Sequence, residues 1–171
     1  MRQKADQQRI RELMSRLGEA ARTPSRVYLV GGATAVLQGW RPSTIDVDLT
    51  FDPESREIYE AIPRLKVQLD LNIEFASPAH FVPELPGWRD RCLYVGTWGK
   101  LTVLHYDPYG QALAKIERSH EQDRADVRHL IDSGLVEPQR LRDLFEQAAP
   151  DLVKYPAVDP ETLRARLREV K

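Results

Sequence analysis

Cysteine is almost absent from the 171 residues: Cys92 stands alone, which excludes an intrachain disulfide and any zinc site built on cysteines. Long apolar runs are missing too. The longest span a few residues, far short of the roughly 20 that a membrane helix needs, so no membrane partner is expected. The opening stretch MRQKADQQRIRELM is polar and charged, unlike a secretory leader, and an intracellular, cytoplasmic setting is expected. Neither sign of charge dominates. Lys and Arg number 25 against 26 Asp and Glu, a net charge of -1, which excludes a uniformly basic nucleic-acid coat. Histidine is sparse, and His80, His105, His120 and His129 follow no metal-ligand spacing.

What is present is ordinary globular material: 42% hydrophobic and 30% charged residues, enough to build a buried core without staples. The charge is unevenly spread. Residues 1–26 carry seven basic and three acidic side chains, whereas residues 42–86 carry three basic and nine acidic ones. An acidic middle in a near-neutral chain reads either as a solvated face or as carboxylates gathered around a cation.

Periodicity predicts a helix over 5–22, with Ile10, Leu13, Met14, Leu17 and Ala21 on one face. VYLV (27–30) reads as a buried strand ending at Gly31-Gly32, followed by a short helix over 33–38 and a half-buried strand over Asp46–Phe51. A helix is expected over 53–64, capped by Asp52, with Ile58, Tyr59 and Ile62 inward. VQLDLNIEF (67–75) alternates as a strand, with Gln68, Asp70, Asn72 and Glu74 on its polar side. After a Pro-rich loop (77–87), CLYVG and KLTVLHY form a hairpin, and helices follow over 109–119, 122–132, 138–148 and 160–170. Pro138 and Pro160 mark helix starts. The expected class is α+β: an N-terminal helix (1–24), a small mixed sheet with flanking helices (25–107) and a helical C-terminal part (108–171), together one structural domain.

The chemistry concentrates in VYLVGGATAVLQGWRPSTIDVDLTFD (27–52). Positions 46 and 48 of one strand point the same way, so Asp46 and Asp48 form a carboxylate pair that repels itself unless a cation intervenes. Such a pair suits Mg²⁺, which takes one or two carboxylates and completes its shell with water and phosphate. Gly31 and Gly32 lack Cβ atoms, so backbone there can approach a phosphate closely. Two-metal phosphoryl chemistry needs a further acid on a neighbouring strand, for which Asp70 is the first choice and Glu74 the second.

GGATA followed by GWRPSTIDVDL resembles the nucleotidyltransferase superfamily of the polymerase-beta-like fold, and more closely its bacterial AbiEii/MenT-type members. The loop ASPAHFVPELPGW and the stretch KIERSHEQDRADVRHLI add to the likeness, which covers roughly residues 25–133. The resemblance implies transfer of a nucleoside monophosphate from a nucleoside triphosphate to an acceptor hydroxyl on RNA, tRNA or protein. It also implies a toxin paired with a cognate antitoxin. Two Mg²⁺ ions would sit on Asp46, Asp48 and Asp70. Lys115 and Arg41 would neutralise the triphosphate, with Arg118, Asp123 and Asp126 in support. One departure is that Gly32 stands where many relatives carry Ser, so Thr34, Ser43 or Thr44 would supply any hydroxyl.

Plainer readings stand beside these. Asp46 and Asp48 can be two solvated strand carboxylates, and Asp70, Asn72 and Glu74 the wet side of a sheet. Lys115 and Arg118 can be a solvated helix face paired with nearby acids, and Asp123 and Asp126 can simply favour a helix start. Trp40, Trp88 and Trp98 read as packing or loop anchors. The alternative function is a nucleotidyltransferase fold without turnover, serving as a binding module or an antitoxin-like partner. A dinucleotide-binding unit is disfavoured because G-x-G-x-x-G is lacking and the chain turns to a hairpin and helices.

Overall fold

A computed structural model describes residues 2–171. The architecture is α+β, with seven α-helices and one five-stranded mixed sheet among the described residues. The chain falls into two compact units: residues 1–77 with 93–105, and residues 78–92 with 106–171. The N-terminal helix belongs to the sheet unit, and the Pro-rich stretch 78–92 clusters with the C-terminal helices.

The sheet unit runs α1 (Gln7–Ala20), β1 (Ser25–Val30), α2 (Gly32–Gln38), β2 (Asp46–Phe51), α3 (Arg56–Gln68), β3 (Asn72–Phe75), β4 (Leu93–Trp98) and β5 (Leu101–His105). Strand order is β3-β2-β1-β5-β4. β1 pairs antiparallel with β2 and parallel with β5, β2 pairs parallel with β3, and β4 pairs antiparallel with β5. The parallel β2–β3 pair needs a crossover connection, and α3 supplies it.

Alternation decides which side chains enter the core. Val27 and Leu29 of β1, Val47 and Leu49 of β2, and Ile73 of β3 join Ile10, Leu13, Met14 and Leu17 of α1 and Ile58, Ile62 and Leu65 of α3 in one apolar cluster. Full burial of each such side chain contributes roughly 1.5–3 kcal/mol. The Asp6 carboxylate accepts from Arg9 N–H at 2.9 Å and starts α1. Just before it, Ala5 pairs through both backbone groups with Thr44, at 2.8 and 2.9 Å, which fixes the approach to β2.

The region around α3 departs from the sequence reading. The helix starts at Arg56 behind Ser55, not behind Asp52, and continues to Gln68. Ile58, Ala61, Ile62 and Leu65 keep a helical period up to the point where the strand alternation was expected to begin, so the helix absorbs Val67 and Gln68. Val67 is consequently exposed. Tyr59 also points outward, stacked on Phe75 with ring centroids 4.9 Å apart.

The helical unit contains α4 (Pro108–Arg118), α5 (Glu121–Asp132), α6 (Pro138–Ala148) and α7 (Pro160–Glu169), with short 3-10 turns at Pro78–His80, Trp88–Arg91 and Ala149–Lys154. Glu137 accepts from the N–H groups of Gln139 and Arg140, and Asp159 from that of Thr162, so α6 and α7 are both Pro-led and capped by carboxylates. Tyr106, Leu113, Leu141, Phe145 and Leu163 are buried here, and Trp88 stacks on Tyr106 at 4.6 Å. Asp107, fully buried, takes a two-point contact from Arg91 (3.1 and 2.6 Å) and also accepts from Tyr109 N–H at 3.0 Å, capping α4.

Candidate active site

Because Val47 and Leu49 are committed to the core, Asp46 and Asp48 project from the opposite face of β2. The antiparallel register sets Asp48 beside Val30, the last residue of β1. The chain then turns at Gly31 with φ +60°, a conformation that side chains disfavour. A Cβ on Gly31 would lie 3.0 Å from Asp48 Oδ2, so the glycine turn and the carboxylate directly adjoin.

Gly32 is enclosed by a different neighbour. A Cβ built there would meet Thr44 Oγ1 at 2.1 Å and Thr44 Cβ at 2.8 Å. The Thr44 hydroxyl donates to the Asp46 carbonyl at 3.0 Å, so the hydroxyl lies at the glycine turn and at the start of β2 together. Thr34 is a correction to the expected phosphate-facing set. It is buried, with its hydroxyl donating to the Leu29 carbonyl (3.2 Å) and sharing a hydrogen bond with His105 Nδ1 (3.1 Å). Burial pushes the His105 imidazole down to about 4, so it is neutral at physiological pH. Arg41 and Ser43 lie, half-buried, in the segment between α2 and β2.

The strand placement expected for Asp70, the first-choice third acid, is corrected. Asp70 is off the strand: it sits at φ +49° in the turn between α3 and β3, a conformation that Asp tolerates better than most residues. The strand-borne residues are Asn72 and Glu74. In the parallel register Asn72 is opposite Asp46, and Glu74 is opposite Asp48. Asn72 Nδ2 donates to Asp46 Oδ1 at 2.5 Å and to Glu74 Oε1 at 3.0 Å. Two carboxylate acceptors leave only the NH₂ end of the amide able to face them, which fixes its orientation. Sequence reading placed Asn72 between two candidate acids without giving it a part. Its bridging position becomes visible only with the parallel register.

Asp46 and Asp48 are half-buried and Glu74 is exposed. Among the described residues, no three His, Cys, Asp or Glu side chains gather closely enough to hold a metal ion. The all-oxygen pair Asp46 and Asp48 fits Mg²⁺, a hard cation satisfied by one or two carboxylates; it is not a dedicated three-acid cage.

Within the helical unit, Lys115 is buried and Arg118 is exposed, and both meet nearby acids. Lys115 is 8% exposed and donates to Asp126 Oδ2 at 2.7 Å, with Asp123 Oδ1 at 3.7 Å. Arg118 forks onto both oxygens of Asp123, at 2.8 and 2.5 Å. Both acids are 1% exposed. Burial by itself would raise the Asp123 carboxyl; the Arg118 hydrogen bond and charge, the Lys115 charge and the His120 N–H together hold it below the ordinary carboxylate value. Lys115 and Arg118 are therefore each tied to a carboxylate of their own unit. Cys92, donating to the Trp88 carbonyl, is pushed up to about 12, chiefly by burial, and stays a protonated thiol at neutral pH.

The site thus consists of a glycine turn against a carboxylate, with a second acid two positions away on the same strand face of a mixed sheet. The chain belongs to a nucleotidyltransferase family of unknown function (DUF6036), whose family model matches residues 7–158. No curated protein and no solved structure matches it. No described helix is long and apolar enough to cross a membrane.

Proposed function

We propose that this nucleotidyltransferase uses Mg²⁺ to move a nucleoside monophosphate from a nucleoside triphosphate to an acceptor hydroxyl. The carrying observation is the juxtaposition of Gly31 with Asp48 Oδ2, beside Asp46 on the same face. Asp46 and Asp48 would hold the cation. When bound, Mg²⁺ would neutralise triphosphate charge and orient it for in-line displacement. The rest is positioning. The reaction forms a bond from the acceptor oxygen to the α-phosphorus, breaks the one to pyrophosphate and releases the hydroxyl proton to water, with no covalent role for the protein. Gly31, without a Cβ, would let phosphate oxygens approach next to Asp48, and Thr44, its hydroxyl donating to the Asp46 carbonyl, would line the same turn. Glu74, across from Asp48, is the strand acid closest in register to the pair.

The resemblance to AbiEii/MenT-type enzymes supports an RNA, tRNA or protein acceptor and a toxin role with a cognate antitoxin. The test is incubation with each labelled nucleoside triphosphate, Mg²⁺ and total RNA or candidate proteins. The chain is expected to transfer label, and the Asp46→Asn, Asp48→Asn double variant to fall to background while keeping its fold. Label that persists in that variant overturns the assignment. One observation favours a second reading, a nucleotide-binding module without turnover: no three acids converge among the described residues. Nucleotide binding without any transfer would select it.

A further inference from the structure

We infer that Asn72 is a positioning residue that holds Asp46 and Glu74 together when no cation is present. This deepens the Mg²⁺ reading above and rests on it. Like charges on adjacent strands repel, and directly neighbouring strand residues of one sign destabilise a sheet. Asp46 and Glu74 nevertheless share one face of β2 and β3, and what stands between them is a neutral amide. Its single nitrogen carries two hydrogens, and each finds a carboxylate: Asp46 Oδ1 at 2.5 Å and Glu74 Oε1 at 3.0 Å. Hydrogen bonds to ionised acceptors are the stronger kind, so one amide offsets much of the repulsion that a cation would otherwise have to remove.

The position of Asn72 in the register is what makes this work. It is opposite Asp46 in a parallel pair, so the two side chains leave the sheet side by side, and Glu74 follows two residues later on the same face. Asp46 Oδ1 is thereby held by the Asn72 amide. An aspartate at 72 would add a fourth carboxylate to the face that carries Asp46, Asp48 and Glu74, and a leucine of similar shape would remove the donors while adding no charge.

The experiment compares the parent chain with Asn72→Asp and Asn72→Leu by thermal unfolding in chelator and in saturating Mg²⁺, alongside calorimetric titration with Mg²⁺ alone. In chelator both variants are expected to melt about 3–6 °C lower, on the usual scale for a chain of this size. Mg²⁺ is expected to close more than half of that gap. A purely structural role for Asn72 predicts a gap unaffected by Mg²⁺, and for leucine, the better strand former, no loss at all. Either outcome overturns the inference. The parent chain should also release or absorb heat with Mg²⁺, and the Asp46→Asn, Asp48→Asn variant should not. Heat in the parent with a Mg²⁺-independent gap sinks the role of Asn72 alone, whereas no heat in the parent sinks the metal reading and this inference together.

Discussion

The Thr44 hydroxyl oxygen stands 2.1 Å from the point where a Cβ on residue 32 would be, so Thr44 fills the space that a side chain at 32 would take. Two stretches of chain thereby exchange roles: the glycine turn supplies the backbone and the segment before β2 supplies the hydroxyl. The Ala5–Thr44 backbone pairing holds that segment in place, so Thr44 has little freedom to withdraw.

Gly32→Ser should therefore destabilise the chain by about 1–3 kcal/mol, the usual range for overpacking a filled site. Adding Thr44→Ala should recover part of the loss, because the Thr44 Cβ would remain 2.8 Å from the new one. Urea unfolding of the two variants and the parent measures both steps. Additive losses would mean that the two positions do not compete for one space.

Lys115→Met leaves Asp126, 1% exposed, without its 2.7 Å ammonium partner. Breaking a buried pair from one side costs roughly 3–5 kcal/mol. A Lys115→Met, Asp126→Leu chain should regain most of that stability, since removing both charges also removes their desolvation. Chemical denaturation of the single and double variants checks the order.

His105 gives a pH dependence with a definite sign. Its folded value is about 4 against an ordinary 6.5, so the unfolded chain takes up the proton first. Stability is full above pH 6.5 and declines as pH falls toward 4, by on the order of 2–3 kcal/mol from this group. His105→Gln should flatten that portion of the stability profile. An unchanged slope between pH 6.5 and 4 in the variant would assign the decline to other groups.

Asp123 acts lower on the scale. Its carboxyl is held below the ordinary 3.8, so its contribution is intact above that value and is lost as pH falls through the depressed one. Arg118→Gln removes the largest of the forces that depress it. Acid unfolding followed by circular dichroism should then begin at a higher pH in the variant than in the parent.

Where punctuation and periodicity agree, the fold was readable from the chain. Glu137-Pro138 and Asp159-Pro160 mark the starts of α6 and α7 because a carboxylate cap and a proline at the first helical position act locally. DVDLTF coincides with β2 for a similar reason: its alternation competes with nothing. Around residues 65–75 two periods overlap. Leu65 suits α3, Leu69 and Leu71 suit a strand as well as a helix end, and the tertiary placement of α3 decided the matter, removing Asp70 from the sheet. The glycine turn and Asp46-x-Asp48 were legible as a motif. The Asn72 bridge was not, because it depends on strand register, nor was Lys115–Asp126, which needs α4 and α5 side by side.

Asp107 caps α4 and also receives Arg91, whose Nη1 reaches the Pro86 carbonyl at 2.7 Å. A single acid thus locks a helix start to a proline-rich strap. The strap cannot peel away without releasing the first turn of α4, so the amide protons of both should exchange with solvent in one cooperative opening rather than two.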